Sequence, residues 1–330
     1  MNKSEIIACA FESWYSKFED ITINSVIMDL PDEVLEYIKT APLVVPKNAV
    51  PVVAERDEFS DDSDEESWSD GGEDGELEST TFPEFEEKVN KIIGDFNGEV
   101  FPKLNWSSPK DVAWINFGSS LKCTKASDVL VLLKASDFIG YDIYKPFYHC
   151  TDLNERDSTY PLKLVLRRWY PIRPDGEFRC FIRSNHLVAL CQRHHDSYYS
   201  FIETEKDNIK QVICNFFDRN IKEKFPLENY VMDVFVNYKF KSSKCVMLID
   251  FNVYGPPTDG LLFDFDEVDK LPLDDSNLEF RWQTDKTLRS GVFSQYKLPI
   301  DLVDISVGND PEKLMDLIQA YADEQKKEEK

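Results

Sequence analysis

From Ser4 onward, Ile7, Phe11, Trp14 and Phe18 recur every three or four residues, the period of one helix face, with Ser4 placed as an N-cap. A β-like run over 21–27 follows, then a short helix over 34–38 that starts at Pro31-Asp32. Phe85, Val89, Ile92 and Ile93 share one face of a further helix, which leads into Val100-Phe101-Pro102-Lys103-Leu104-Asn105. Beyond it, the pattern predicts helices over 127–134 and 205–222, and strands over 162–169, 177–182, 187–192, 231–236 and 246–252. A last amphipathic helix runs from Pro311 through Leu314, Leu317, Ile318 and Tyr321. Strands outnumber helices and come in adjacent groups joined by short links, which predicts an α+β fold with mainly antiparallel sheets. Neither G-x-G-x-x-G nor G-x-x-x-x-G-K-[ST] occurs, and no internal repeat is visible.

Periodicity fails over 50–80, where acidic residues alternate with Ser60, Ser63, Ser67, Ser69, Gly71, Gly72 and Gly75. Such a stretch buries too little apolar surface to offset chain entropy, so a disordered acidic loop is expected. Ser63 and Ser67 each have an acid three positions on, which suits an acid-directed kinase as well as a merely solubilising loop. Between Glu55 and Glu78, thirteen acids face one arginine, so −12 of the net −24 sits in this segment. The rest of the chain is still acidic, which argues against an extended nucleic-acid surface. No apolar run approaches the roughly 18–20 residues of a membrane span. The first residues lack a signal-peptide pattern, and seven scattered cysteines form no C-x-x-C pair. A reducing compartment, the cytoplasm, is the expectation.

Two aspartates carry the clearest chemical signal. Asp233 and Asp250 are each embedded in an apolar run, on either side of a lysine-rich connector at 237–245. If the runs pair as a hairpin turning near Lys241-Ser242, Asp233 falls close to opposite Asp250, and Asn252 shares the face of Asp250. Two carboxylates and an amide oxygen suit a magnesium ion bridging phosphates. Acids at strand ends often simply face water. Inside an apolar run, however, they cost stability unless a cation or donor compensates. Basic groups accompany them: Lys103 before the turn Asn105–Asp111, Arg167-Arg168-Trp169 ending a strand whose edge would meet an adenine ring, Glu177 and Arg179 on one strand face, and Arg193. Each alone reads equally as a surface residue; together with the acids they suggest a polyphosphate site. Four histidines, with His194-His195 lacking a partner at ligand spacing, offer little for zinc or nucleophilic chemistry.

The strings Phe101-Pro102-Lys103-Leu104-Asn105-Trp106-Ser107, Ser119-Ser120-Leu121-Lys122-Cys123, Ser136-Asp137-Phe138-Ile139, Glu177-Phe178-Arg179-Cys180-Phe181 and Leu248-Ile249-Asp250-Phe251-Asn252, with Phe11, Trp14 and Tyr15, resemble the cell division cycle protein 123 family. The resemblance spans nearly the whole chain, acidic insert included. It implies an ATP-grasp-like two-lobed fold: an N-terminal lobe of 1–49 and 82–160, a loop over 50–81, a nucleotide- and metal-binding lobe over 161–310, and a helix and tail over 311–330. It also implies Mg2+ and ATP between the lobes, and a role in assembling the eukaryotic translation initiation factor two heterotrimer through the C-terminal domain of its gamma subunit. Carried over by position, Lys103 contacts phosphate, while Trp106, Ser108, Lys110 and Asp111 form the nucleotide-facing turn. Arg167, Arg168 and Trp169 form the adenine hinge; Glu177, Arg179 and Arg193 reach ribose or phosphate; Asp233, Asp250 and Asn252 are the magnesium ligands.

Two functions follow. One is an assembly chaperone in which ATP is a structural ligand of the closed state. The other is an ATP-grasp ligase acting on an unidentified acceptor. Asp250 stands where such ligases commonly offer Glu, and Ser107-Ser108-Pro109 where they offer a glycine-rich loop, so turnover is left open.

Overall fold

The computed structural model describes residues 1–40, 81–115, 120–153, 160–238, 245–273 and 277–286. The expected acidic loop and the helix after Pro311 lie outside them. Two sheets face one another. The smaller, ordered β1-β3-β2, is built from β1 (Ser25–Asp29), β2 (Val100–Lys103) and β3 (Lys163–Arg168), all antiparallel. The larger is ordered β7-β6-β4-β5-β8, from β4 (Glu177–Arg183), β5 (His186–Gln192), β6 (Tyr230–Val236), β7 (Val246–Val253) and β8 (Glu279–Arg281). Only the β5–β8 pairing among these is parallel. The α+β expectation is met.

Side-chain alternation gives each sheet a greasy face and a mixed one. On the smaller sheet, Leu164, Leu166 and Val100 pack under the helices α3 (Asp32–Lys39), α4 (Pro83–Asp95) and α5 (Ala126–Ala135). On the larger, Phe178, Cys180, Met232, Val234 and Phe251 pack against α7 (Ser200–Asn220) and the two N-terminal helices, α1 (Lys3–Ala8) and α2 (Phe11–Phe18). Phe251 sits at the centre of this core, stacked on Phe225 at 4.0 Å between ring centroids and met edge-on by Trp14 at 5.3 Å. The mixed faces, carrying Lys103 and Arg167 from one sheet and Arg179, Asp233 and Asp250 from the other, turn toward each other.

Three local expectations are corrected. The first helix is broken: Ala10 is extended, which frees the Phe11 N–H to donate to the Asn105 carbonyl at 2.8 Å, and the apolar period survives because both halves pack on one core. The start is marked by Asn2, whose N–H donates to the Glu5 carboxylate at 2.6 Å, rather than by Ser4. The first strand begins at Ser25, because the preceding residues form a 3-10 turn and Thr22 bridges to Leu248 of β7 instead. The third correction concerns β3, read as an edge but central: the Arg168 and Trp169 N–H groups already donate to Asn24 and Glu99 carbonyls at 2.9 and 3.1 Å. The sequence reading also missed α6 (Asp137–Tyr144), capped by the Ser136 hydroxyl, because Gly140 weakens its helical signal.

Gly176 leads into β4 where there is no room for a side chain. A Cβ there would lie 2.6 Å from the Phe235 ring and 2.7 Å from the Val236 carbonyl oxygen. Gly176→Ala is expected to lower unfolding stability by about 1–3 kcal/mol, the usual cost of overpacking against backbone, as measured by urea denaturation.

Candidate functional site

Between the facing sheets lies a cavity of about 570 Å³. Its walls carry Lys103, Lys110, Arg167, Arg168, Arg179 and Arg193 against Glu177, Asp233, Asp250 and Asp259, six cations to four carboxylates. In a chain of net charge −24, a cationic excess gathered on the walls of this cleft suits it to an anion.

The acids are held in place by strand register. Asp233 and Asp250 are Cα partners across β6 and β7, as the hairpin reading requires. The ladder shifts immediately beyond Asp233, leaving Ile249 as the extra residue of a bulge on β7. Arg167 fixes that bulge from the other sheet: its guanidinium donates to the Ile249 carbonyl at 2.9 Å and to the Thr22 hydroxyl at 3.1 Å. Both Arg167 and Lys103 stand over the buried ring of Phe11, at 5.1 and 5.2 Å from its centroid. Lys103, itself buried, pairs with Asp250.

Asp233 is more heavily engaged. Arg179 donates to both its oxygens, at 2.8 and 2.7 Å, and Asn252 donates to one at 3.2 Å. Arg193 Nε lies 3.6 Å away. Burial alone would raise the Asp233 pKa; the Arg179 pair, then Arg193 and Lys110, outweigh it and hold the carboxyl well below the usual range. Burial pushes the Arg167 guanidinium down to about 10, with Asp250 opposing. The Glu177 carboxylate accepts from the His194 ring, whose Nε2 is 2.9 Å from Oε1.

The turn after β2 divides. Trp106, Ser108 and Lys110 line the cleft, but Asp111 does not. Its carboxylate is buried on the far side, accepting from the Ser136 hydroxyl at 2.6 Å and the Asp137 N–H at 2.8 Å. That corrects Asp111 from a nucleotide-facing residue to the anchor of the α6 start. The residue that shapes the turn is Asp142 on α6, unforeseen in the sequence. It accepts from the N–H groups of Trp106 and Ser107 at 3.3 and 2.8 Å, and from the Ser107 hydroxyl at 2.7 Å. The available signal was an aspartate inside the otherwise apolar helix Asp137–Tyr144. Arg168 and Trp169 do line the cleft, although their N–H groups are spent within the sheet. Among the described residues, no three His, Cys, Asp or Glu side chains gather as a metal cluster.

Residues 14–306 match the model of the D123 family. The chain belongs to the D123 family. D123 relatives cover it almost end to end. A Xenopus tropicalis protein named translation initiation factor eIF2 assembly protein is 40% identical over 98% of both chains. A Schizosaccharomyces pombe protein of the same name is 34% identical over 98% of this chain and 97% of its own. The solved structure of Cdc123 from Schizosaccharomyces pombe superposes with a TM-score of 0.68 at 31% identity, covering 86% of this chain and 99% of that one. The cleft of this D123 chain falls within the matched residues, with all its charged wall residues between Lys103 and Asp259. Among the described residues, no helix is long and apolar enough to cross a membrane.

Lys110 offers a pH readout of the cleft. Protein crowding around the ammonium, then Arg193, lower its pKa to about 8, with Glu177 and Asp233 opposing. Lys110 is nevertheless exposed to solvent, so water screens part of that effect and the direction carries the prediction. Inorganic tripolyphosphate should therefore bind best below pH 8 and weaken as Lys110 loses its proton, by at most about tenfold per pH unit. Lys110→Arg, charged throughout, should flatten that dependence in calorimetric titrations from pH 7 to 9.

Proposed function

We propose that the cleft binds Mg–ATP, in an ATP-grasp-like manner between the two sheets, and that the chain acts as an assembly factor for eukaryotic initiation factor two by gripping its gamma subunit. The observation that carries the nucleotide half is the cross-pairing of charges. Both carboxylates proposed to hold the metal already hold a cation: Asp233 holds Arg179, and Asp250 holds Lys103. A magnesium polyphosphate is the ligand that can serve both sets, taking the cations onto phosphate and the carboxylates onto metal, so no buried charge is left bare. The donors fit: Asp233, Asp250 and the Asn252 amide oxygen leave the rest of a magnesium shell to water and phosphate. Bound there, the ion would neutralise phosphate charge. Phe101, Trp169, Tyr170 and Ile172 give the cleft an apolar end suited to a base.

The assembly half is supported by the relatives, which bear the name eIF2 assembly protein at up to 40% identity over almost the full chain. Nucleotide then acts as a structural ligand whose binding free energy adds to the closed arrangement of the lobes. The ligase alternative needs an acceptor substrate, and the relatives' names point to assembly instead.

Asp250→Ala is expected to abolish magnesium-dependent ATP binding, since it removes a ligand and strands Lys103; wild-type affinity by calorimetry would refute the metal assignment. Lys103→Met and Arg179→Lys should weaken ATP by about 1.5–3 kcal/mol each, the worth of a charge-assisted contact. Partner binding should fall only as far as nucleotide occupancy does. A non-hydrolysable analogue should support gamma-subunit binding as well as ATP, with no burst of ADP or AMP; a partner-stimulated burst lost in Asp233→Ala would move the chain to the ligase class.

A further inference from the structure

A second cavity, of about 520 Å³, adjoins the cationic cleft. Trp106, Phe138, Asn252 and Thr258 belong to the walls of both. Its charge is the opposite. The described lining contains no Lys, Arg or His, while two aspartates, Asp137 and Asp142, stand among apolar neighbours. Asp142 is 2% exposed and takes three hydrogen bonds, all from neutral donors of Trp106 and Ser107. Burial outweighs these bonds and the charge of Lys103, which makes no ion pair with it, and pushes its carboxyl up to about 6. Tyr141, on the same wall, has a buried hydroxyl with no hydrogen-bond partner among the described residues. Asp137 is exposed at the rim.

We propose that this cavity receives a basic side chain, lysine or arginine, of the polypeptide partner. A long methylene stem buries against aromatic walls while its charged tip seeks acceptors, and the cavity supplies both: Trp106, Phe138 and Phe251 for the stem, Asp142, Asp137 and the Tyr141 oxygen for the tip. An anion or a purely apolar group would leave a buried carboxylate without a counter-charge. A polypeptide source fits the adjoining surface, because the same segment exposes Tyr144 and Tyr148 at 60% and 68%, side chains enriched where proteins meet. That the occupant is a protein rests on the assembly reading above. The shared walls set the stem of that side chain against Trp106 and Phe138, which also line the cleft, so nucleotide and partner would meet across the same residues.

The test uses the full-length chain with two small probes, N-acetyl-lysine amide and its uncharged isostere N-acetyl-norleucine amide, followed by NMR titration, together with calorimetry on the gamma subunit in saturating Mg–ATP. The variant combines Tyr141→Phe and Asp137→Asn. Both changes preserve volume, and neither residue lines the cleft, so melting temperature and ATP affinity should be unchanged. The lysine amide is expected to bind the wild type about tenfold better than its isostere, and the variant to lose most of that preference and about tenfold in gamma-subunit affinity. Equal binding of the two amides would overturn the proposal and make this a plain apolar pocket. A lost lysine preference with unchanged gamma-subunit affinity would overturn the polypeptide occupant in favour of a free amine. Failure of the wild type to bind the gamma subunit defeats the assembly reading and the polypeptide occupant together, while the amide comparison still decides the charge preference of the cavity.

Discussion

At the site the two sheets are joined by the Arg167 guanidinium and by the Lys103–Asp250 pair. Arg167 leaves the central strand of the smaller sheet and donates to the carbonyl of Ile249, the residue that bulges out of the larger one. A bulge disturbs a ladder and leaves a residue unpaired; here the unpaired carbonyl is used, and the displaced strand delivers Asp250 to the cleft. Phe11 presents its ring to the same guanidinium and to Lys103, so a residue from the N-terminal helices supports both cations. Removing Arg167 would therefore disturb the relation of the sheets, the reach of Asp250 and the seat of Phe11 at once.

Around that joint the molecule separates its charges. The cleft concentrates cations in an acidic chain, and the neighbouring cavity holds acids without cations. The two arrangements bear on stability in opposite senses. Ionised Asp142, with its pKa raised to about 6, costs the fold free energy above that pH and less as pH falls toward the unfolded value. Asp233 has the reverse sense, contributing stability that is lost only in strong acid, because Arg179 is already on it. The paired acid supports the resting fold; the acid without a counter-ion waits for one.

Strand content, strand pairing and the Asp233–Asp250 hairpin were legible in the chain because a period of two and an embedded charge are local signals. The cleft residues from Lys103 to Asn252, Asp111 apart, do converge on one cavity. What the chain did not disclose depended on contacts remote in sequence. Whether Asp111 or Asp142 faced the turn was decided by α6, whose Gly140 blurs its period, and both aspartates look alike without it. The bulge at Ile249 was invisible because its stabilising donor is 82 residues away. The break at Ala10 left the apolar spacing intact, since both half-helices serve one core.

That break ties the beginning of the chain to its later parts, with a bearing on how the molecule is made. Trp14 and Phe18 find their packing partners in Phe225 and Phe251, more than two hundred residues downstream. On a ribosome, the smaller sheet has all its strands once residue 168 has emerged, while these aromatic rings still have nowhere to go. These residues are made well before the rings that bury them, and long-range closures of this kind are slow. A protein whose relatives are named for assembling another factor thus exposes, during its own synthesis, the sort of apolar segment that chaperones recognise.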